Sequence, residues 1–240
     1  MQLTLPLLSP QSPAHRTLMV GGRTYQVKIA RHRLARRYLL RVSDDGRLRL
    51  TVPRGASIAD GLAFATAQRE WIERERLRVG RRTAPWRDGA LVLFRGVQEP
   101  LRVGQHAITC GTETIRLPSG AADAAADFRE LIETHFRRLA AHELPARCFD
   151  LASRHGLRVD RVLVRNQKSR WGACSPRRVI TLNWRLLQMP PSVCEYVLLH
   201  ELMHLKHANH SRRFWRAVEE VCPTWRDSER WLRKYGREIL

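Results

Sequence analysis

The sequence predicts an α+β protein in which a β-rich N-terminal region precedes a mainly helical region. Up to residue 117, apolar and polar residues alternate in short runs separated by glycine-containing turns. After residue 126, the apolar residues recur with the period of an amphipathic helix. Ser119-Gly120 and an alanine-rich run lie between the two patterns, as is typical of a boundary. We therefore expect a disordered tail at 1–16, a β-rich region at 17–120 and a helical region at 121–240.

Two β-hairpins are predicted at the start of the β-rich region. Gly21-Gly22 separates two runs of strand-forming residues. The turn Asp44-Asp45-Gly46 lies between 38–42 and 48–52, where leucine and valine alternate with polar residues. Ser57 is a typical N-cap for the helix that we expect next. Three shorter strands are predicted after that helix, at 91–94, 101–103 and 114–117.

The helical region also contains two predicted strands. Phe128, Ile132 and Phe136 fall on one helical face. Leu144 to His155 is predicted to form a second helix that ends at Gly156, and Pro145 is expected to break the helical turn. The strands are predicted at 157–164 and 179–183, with a polar segment between them, and helices from Pro191 to the end with breaks near Asn209 and Pro223.

The composition is typical of a globular protein, with 43% hydrophobic and 28% charged residues. No apolar run is long enough to cross a bilayer, so we expect no membrane-spanning segment. The apolar run at 3–8 has no basic residue before it, and Pro10 and Pro13 follow it. This pattern is typical of a disordered tail rather than a signal peptide, and we expect a cytoplasmic protein.

The cysteine pattern argues against two kinds of cross-link. The five cysteines are widely spaced and form no CxxC pair; they are Cys110, Cys148, Cys174, Cys194 and Cys222. A disulfide framework and an all-cysteine zinc site are therefore not expected. We interpret these residues as small buried apolar side chains.

The formal net charge of +20 is large, and nearly all of the positive charge comes from arginine. A field of this sign favours polyanionic partners, and nucleic acid is the obvious candidate. No DNA- or RNA-binding motif accompanies the charge, so a merely basic surface explains it equally well. We keep nucleic acid as a hypothetical partner.

The segment 197–205 contains an HExxH motif within an apolar helix. His200 and His204 are four residues apart, so both imidazoles project from one helical face and reach one ion. Glu201 can face a water molecule on that ion without binding the ion itself, as a general base must. Zinc prefers such nitrogen ligands, and burying these polar groups unsatisfied would be costly. The motif predicts a Zn²⁺ site.

A comparable segment elsewhere in the chain lacks the essential residue. His142-Glu143 begins like the HExxH motif, but Ala146 stands where the second histidine is required, and Pro145 precedes it. We interpret His142 and Glu143 as structural residues.

A third protein ligand is required, and His210 is the candidate that we favour. It follows Asn209, a residue that readily turns the chain at the end of a helix, so its side chain can approach the ion from a new direction. His207 would have to reach along the helix axis. Glu219 and Glu220, on the following helix, remain further alternatives.

Four motifs follow one another in the chain: SRWGACS (169–175), TLNW (181–184), HELMH (200–204) and NHSRRFW (209–215). These motifs in this order resemble the YgjP-like metallopeptidase family, which is related to the SprT-like and wider zincin peptidases. The resemblance extends from about Tyr25 to Tyr235, with Ala173 where the family usually has serine. It implies a zincin-like catalytic domain at 121–240, with His200, His204 and His210 as ligands and Glu201 as base.

In zincins, a strand runs near the active-site helix, and the segment 170–172 precedes the corresponding strand. We interpret it either as a wall of the substrate cleft, where Gly172 permits close backbone approach, or as a turn with a packed tryptophan. Asn183 either lines the cleft or caps a strand end. Phe214 and Trp215 are expected to be core residues that hold the turn carrying His210.

The expected activity is hydrolysis of peptide bonds by a metal-activated water, with Glu201 as the general base. An oxyanion-stabilising residue should exist, and Arg170 and His155 are weak candidates. Two other hypotheses remain. The chain could be a nucleic-acid-binding protein with a structural or vestigial zinc site, or a protease tethered to DNA. It could also be an amidase that acts on small substrates.

Overall fold

The computed structural model describes residues 14–118 and 126–239. The chain divides into two compact units, Met1–Ala84 and Pro85–Leu240. The boundary predicted near residue 120 falls at 119–125, outside the described residues. The contacts group residues 85–118 with the helical part of the chain rather than with the N-terminal strands.

The N-terminal unit is a four-stranded sheet with two helices. The sheet has the order β1-β2-β4-β3, in which β2 and β4 are parallel and the other pairs are antiparallel. Both predicted hairpins are confirmed, although β1 begins inside the predicted tail. The elements are β1 (Ala14–Val20), β2 (Arg23–His32), β3 (Leu39–Val42), β4 (Leu48–Pro53), α1 (Ile58–Ala67) and α2 (Arg69–Thr83).

One face of this sheet is buried. Val27, Leu48 and Leu50 alternate with exposed residues along β2 and β4, and they pack with Ile72 of α2 in the core of this unit. Ser57 caps α1 as predicted, because its hydroxyl accepts a hydrogen bond from the Asp60 amide over 3.3 Å. The single predicted helix is in fact two helices, α1 and α2.

The second unit contains eight strands in three small sheets, together with four α-helices, among the described residues. Its strands are β5 (Leu91–Phe94), β6 (Val97–Pro100), β7 (Arg102–Val103), β8 (Ala107–Cys110), β9 (Glu113–Arg116), β10 (Arg161–Arg165), β11 (Gly172–Cys174) and β12 (Val179–Asn183). Its helices are α3 (Arg129–Arg154), α4 (Pro191–Met203), α5 (Arg212–Val221) and α6 (Trp225–Ile239), with a 3-10 helix at Trp184–Gln188. The helix breaks near Asn209 and Pro223 are confirmed.

The helix α3 corrects one prediction, because it continues through Pro145. A proline inside a helix costs about 3 kcal/mol. The buried stripe of α3 runs on past the proline through Cys148 and Leu151, and packing against the core offsets this cost. Glu143 accepts a hydrogen bond from Arg95 over 2.7 Å, which is consistent with a structural role.

The sheet that lies beside α4 has the order β10-β12-β11. The strand β12 is parallel to β10 and antiparallel to β11, which forms an edge of the sheet. The sequence did not predict β11, since it lies within the polar segment between the two predicted strands. The structure shows an α+β fold, as predicted, and none of the helices in its described part is long and apolar enough to span a membrane.

Candidate metal centre

Helix α4 carries the first residues of the candidate site, and most of its side chains are buried. The buried residues surround the HExxH segment on most sides; they include Val197, Leu198, Leu199, Leu202 and Met203. His200 and His204 are half-buried, with His204 immediately after the last helical residue, and Glu201 is only 7% exposed. Burial of this extent requires the polar groups to find partners.

The chain turns back after α4 and brings His210 to the two helical histidines. Ser211 then caps α5, since its hydroxyl accepts a hydrogen bond from the Phe214 amide over 3.5 Å. One possible ligand atom from each of His200, His204 and His210 lies within 4.8 Å of the other two. The Nε2 atoms of His200 and His210 are 3.0 Å apart.

These distances suit a single small cation. Nitrogen ligands at about 2.0–2.1 Å from a tetrahedral zinc ion are roughly 3.3 Å from one another. The spacing between His200 and His210 is close to that value. The described ligand cluster contains neither His207 nor Glu219 or Glu220.

The backbone of His207 contributes in another way. Its carbonyl oxygen lies 3.1 Å from His204 Nδ1. Because a carbonyl only accepts hydrogen bonds, Nδ1 carries the proton, and Nε2 keeps its lone pair for a metal. A carbonyl in this position commonly orients a metal-binding histidine. This interaction could not be predicted from the sequence, because a main-chain carbonyl is present at every residue.

Aromatic packing holds the three imidazoles in place. Phe214 stacks on His204 with ring centroids 4.5 Å apart and contacts His200 edge-on at 4.9 Å. Trp215 lies 5.7 Å from the His210 ring and stacks on Trp225 at 4.6 Å. Phe214 is fully buried and Trp215 is half-buried, so both hold the returning turn as expected.

The protonation of the histidines favours metal binding. Burial, followed by the neighbouring His204 and His210, lowers the pKa of His200 to about 4. Burial also lowers the pKa of His204. Both rings are therefore neutral near pH 7, which is the form that coordinates a metal. The donor set fits a metal that prefers nitrogen ligands.

Glu201 lies beside the histidines in a tightly packed position. Burial raises the pKa of its carboxyl group to about 7, and the Arg170 guanidinium acts in the opposite direction. A Cβ atom at Gly172 would lie 2.5 Å from Glu201 Cγ and 2.6 Å from Oε1. Only glycine therefore lets β11 approach the Glu201 side chain this closely.

The histidines and Glu201 line a cleft of about 860 Å³. The whole of β11 forms part of its wall, together with three basic residues, Arg170, Arg178 and Lys206. The Nε atom of Arg178 forms a salt bridge with Asp160 Oδ2 over 3.7 Å. Trp171, Tyr196 and Leu232 add apolar surface to the cleft. The interpretation of 170–172 as cleft wall is therefore consistent with the structure.

Asn183 does not line the cleft. It is completely buried, and its side-chain amide donates to the carbonyl oxygens of Gln167 over 2.8 Å and Arg170 over 3.1 Å. Its side-chain oxygen Oδ1 accepts a hydrogen bond from the main-chain amide of Arg185 over 3.1 Å. Asn183 is thus a strand-end cap that holds the loop carrying Arg170. His155, the other candidate for oxyanion stabilisation, lies at the C-terminus of α3 and not in the cleft wall.

A comparison with known protein families gives a match that agrees with the chemistry of this site. The sequence profile of the family described as "YgjP-like, metallopeptidase domain" matches residues 36–235. The structure titled "Crystal structure of the metallopeptidase zymogen of Pyrococcus abyssi abylysin" is 28% identical, and the match covers 40% of this chain and 97% of that chain with a TM-score of 0.35. No curated protein matches the chain.

Removing any one of the three histidines should abolish tight metal binding. His200→Ala, His204→Ala and His210→Ala should each lower Zn²⁺ affinity by more than about 100-fold. Removing only the hydrogen-bond partner of a metal ligand already lowers affinity about 10- to 100-fold, and removing the ligand itself costs more. His142→Ala is the matched control, since this exposed histidine belongs to the incomplete motif. Calorimetric titration would measure the Zn²⁺ affinity of each variant, and metal analysis would measure its zinc content. Equal affinity of His142→Ala and His210→Ala would contradict the assignment.

Proposed function

The chain belongs to the YgjP-like metallopeptidase family, and from this premise we propose that it is a zinc-dependent peptidase that uses Glu201 as general base. The observation that carries the proposal is the convergence of three imidazoles beside a buried carboxylate, on the wall of an open cleft. His200, His204 and His210 would hold the metal. Glu201 stands outside this ligand set and is free to move protons.

The choice of zinc follows from the donor atoms. Three imidazoles without a carboxylate or thiolate are a typical catalytic zinc set, whereas magnesium and calcium prefer oxygen ligands. A bound zinc ion supplies Lewis acidity and makes water more acidic. The exposure of His210 leaves the site accessible from the cleft, so a substrate can reach it.

Glu201 is suited to both halves of proton transfer. A catalytic base works best when its pKa lies near the working pH, and burial moves the pKa of Glu201 in that direction, to about 7. The Arg170 guanidinium and a cation on the adjacent imidazoles both favour the ionised form, which accepts a proton from water. The protonated form can then deliver that proton to the leaving amine.

The edge strand β11 supports a peptide rather than a small amide as the substrate. The amide of Asn183 donates to the Trp171 carbonyl over 2.8 Å, and the amide of Ser175 donates to the Val179 carbonyl over 3.0 Å. This register turns the main-chain groups of Gly172 and Cys174 away from β12, toward the free edge. An extended peptide can pair with such an edge and lie beside Glu201. Arg170 remains the candidate for stabilising the oxyanion.

Glu201→Gln should retain the metal and lose activity. The amide cannot accept the proton from water, so cleavage of fluorescently labelled casein should fall by about 100-fold or more. Glu220→Gln, at an exposed position on α5, is the control that should cleave at the wild-type rate. Metal content is measured in parallel. Wild-type cleavage by Glu201→Gln would show that another group acts as base.

Gly172→Ala should disturb catalysis without removing the metal ligands. The added methyl group would occupy the space of the Glu201 side chain, so the carboxyl group must move. We expect kcat to fall about tenfold or more, because small misplacements of a catalytic group are costly, while zinc content stays unchanged. Gly80→Ala is the control, because a Cβ there meets nothing within 4 Å. Equal kinetics of the two variants would refute the role of Gly172.

A further inference from the structure

The four-stranded sheet of the N-terminal unit has a second face that its two helices do not cover. The residues that alternate with the buried ones point to this open face. Along the four strands they are His15, Thr17, Met19, Thr24, Gln26, Lys28, Ala30, His32, Leu39, Arg41, Arg49, Thr51 and Pro53. This set contains no aspartate or glutamate.

A row of basic side chains crosses the open face. Arg41 on β3 is paired with Arg49 on β4, Arg49 with Lys28 on β2, and Lys28 with His15 on β1. All four side chains are exposed. Neighbouring strands lie about 4.8 Å apart, so the row spans about 14 Å. We call these four residues the basic row.

The basic row is an arrangement that folding alone does not favour. Like charges on neighbouring strands destabilise a sheet. Elsewhere in the same unit, arginines are neutralised by the acidic groups of α2, as Arg76 and Arg74 are by Glu73 and Glu70. Within the described residues, no hydrogen bond or ion pair involves the side chains of Lys28, Arg41 or Arg49. A bound polyanion would relieve their repulsion.

A pocket with aromatic walls lies at the β3 edge of the sheet, between that strand and the two helices. It has a volume of about 470 Å³ and adjoins β3. Tyr38 and Phe64 stack with centroids 6.1 Å apart, and Trp71 and Arg37 complete the wall. All three aromatic rings are half-exposed. Aromatic and arginine side chains in this setting are surfaces on which a nucleobase stacks.

We propose that the N-terminal unit binds single-stranded nucleic acid, with phosphates along the basic row of the open face and a base in the aromatic pocket at the neighbouring β3 edge. The charge supports a polyanion, since residues 1–84 contain 17 Lys and Arg against six Asp and Glu. The pocket favours a single strand over a duplex, because paired bases are not free to enter it. The threonine and glutamine side chains of the face do not favour insertion into a membrane.

The test of the basic row is a charge-matched comparison in the full chain. Lys28→Gln/Arg41→Gln/Arg49→Gln should weaken binding of labelled 15-nucleotide dT and U oligomers at least about tenfold and lower the salt slope by about 2, as expected for three lost phosphate contacts. The control, Arg138→Gln/Arg161→Gln/Arg216→Gln, removes the same charge from exposed positions of the other unit. It should bind nearly as the wild type does.

Fluorescence anisotropy at several salt concentrations gives these numbers, and thermal unfolding checks the fold. The triple variant of the basic row should unfold at or above the wild-type temperature, since its repulsion is removed. An equal loss of oligomer affinity in the two triple variants would overturn the proposal, because the net charge of the chain alone would then explain binding. Binding to phosphatidylserine vesicles but not to either oligomer, or tighter binding of a 15-base-pair duplex, would also overturn it.

Phe64→Leu tests the aromatic pocket separately. It should weaken oligomer binding by about 5- to 100-fold, the range for loss of one stacked base, while binding of inorganic polyphosphate stays at the wild-type level. Phe64→Tyr should restore oligomer binding, since a ring is again present. Equal loss for oligomer and polyphosphate, or no loss for either, would refute the base in the pocket.

Discussion

The convergence of three imidazoles at the end of α4 is the constraint on which the rest of the catalytic unit depends. Two of the rings come from one helical face, and the third returns on the turn before α5. Three converging rings, of which His200 and His204 are half-buried and neutral, are costly to hold together unless a cation joins them. The surrounding residues stabilise that arrangement. Phe214 packs against the His200 and His204 rings, and the His207 carbonyl keeps the proton of His204 on Nδ1.

The same convergence explains the placement of Glu201, the proposed general base, and of the cleft. Glu201 follows the first histidine and therefore lies on an adjacent side of α4, where β11 covers it at Gly172. Burial against this strand raises the pKa of Glu201, and the outer edge of the strand faces the cleft. One three-residue strand thus packs against the Glu201 side chain and has a free edge on which we propose that a peptide pairs. Asn183 holds the adjoining loop through two hydrogen bonds.

The sequence predicted those features that depend on local pattern. Alternation and turn residues predicted both N-terminal hairpins, and the spacing of His200 and His204 predicted that they share a helical face. The approach of His210 followed from Asn209 and the need for a third ligand. Features that depend on tertiary packing escaped prediction. The strand β11 is short and polar and exists through its pairing with β12. Pro145 is tolerated because core packing on both sides of it continues the helix. The compact units separate after Ala84, within the basic, proline-containing stretch 81–87, which was not predicted to be a boundary.

The most direct test of the central claim is X-ray absorption spectroscopy at the zinc K-edge of the purified, zinc-loaded protein. We expect one zinc ion per chain, with three imidazole nitrogens at about 2.0–2.1 Å and one further light atom in the open position. A spectrum with sulfur ligands, or with fewer than three imidazoles around the zinc, would contradict the central claim.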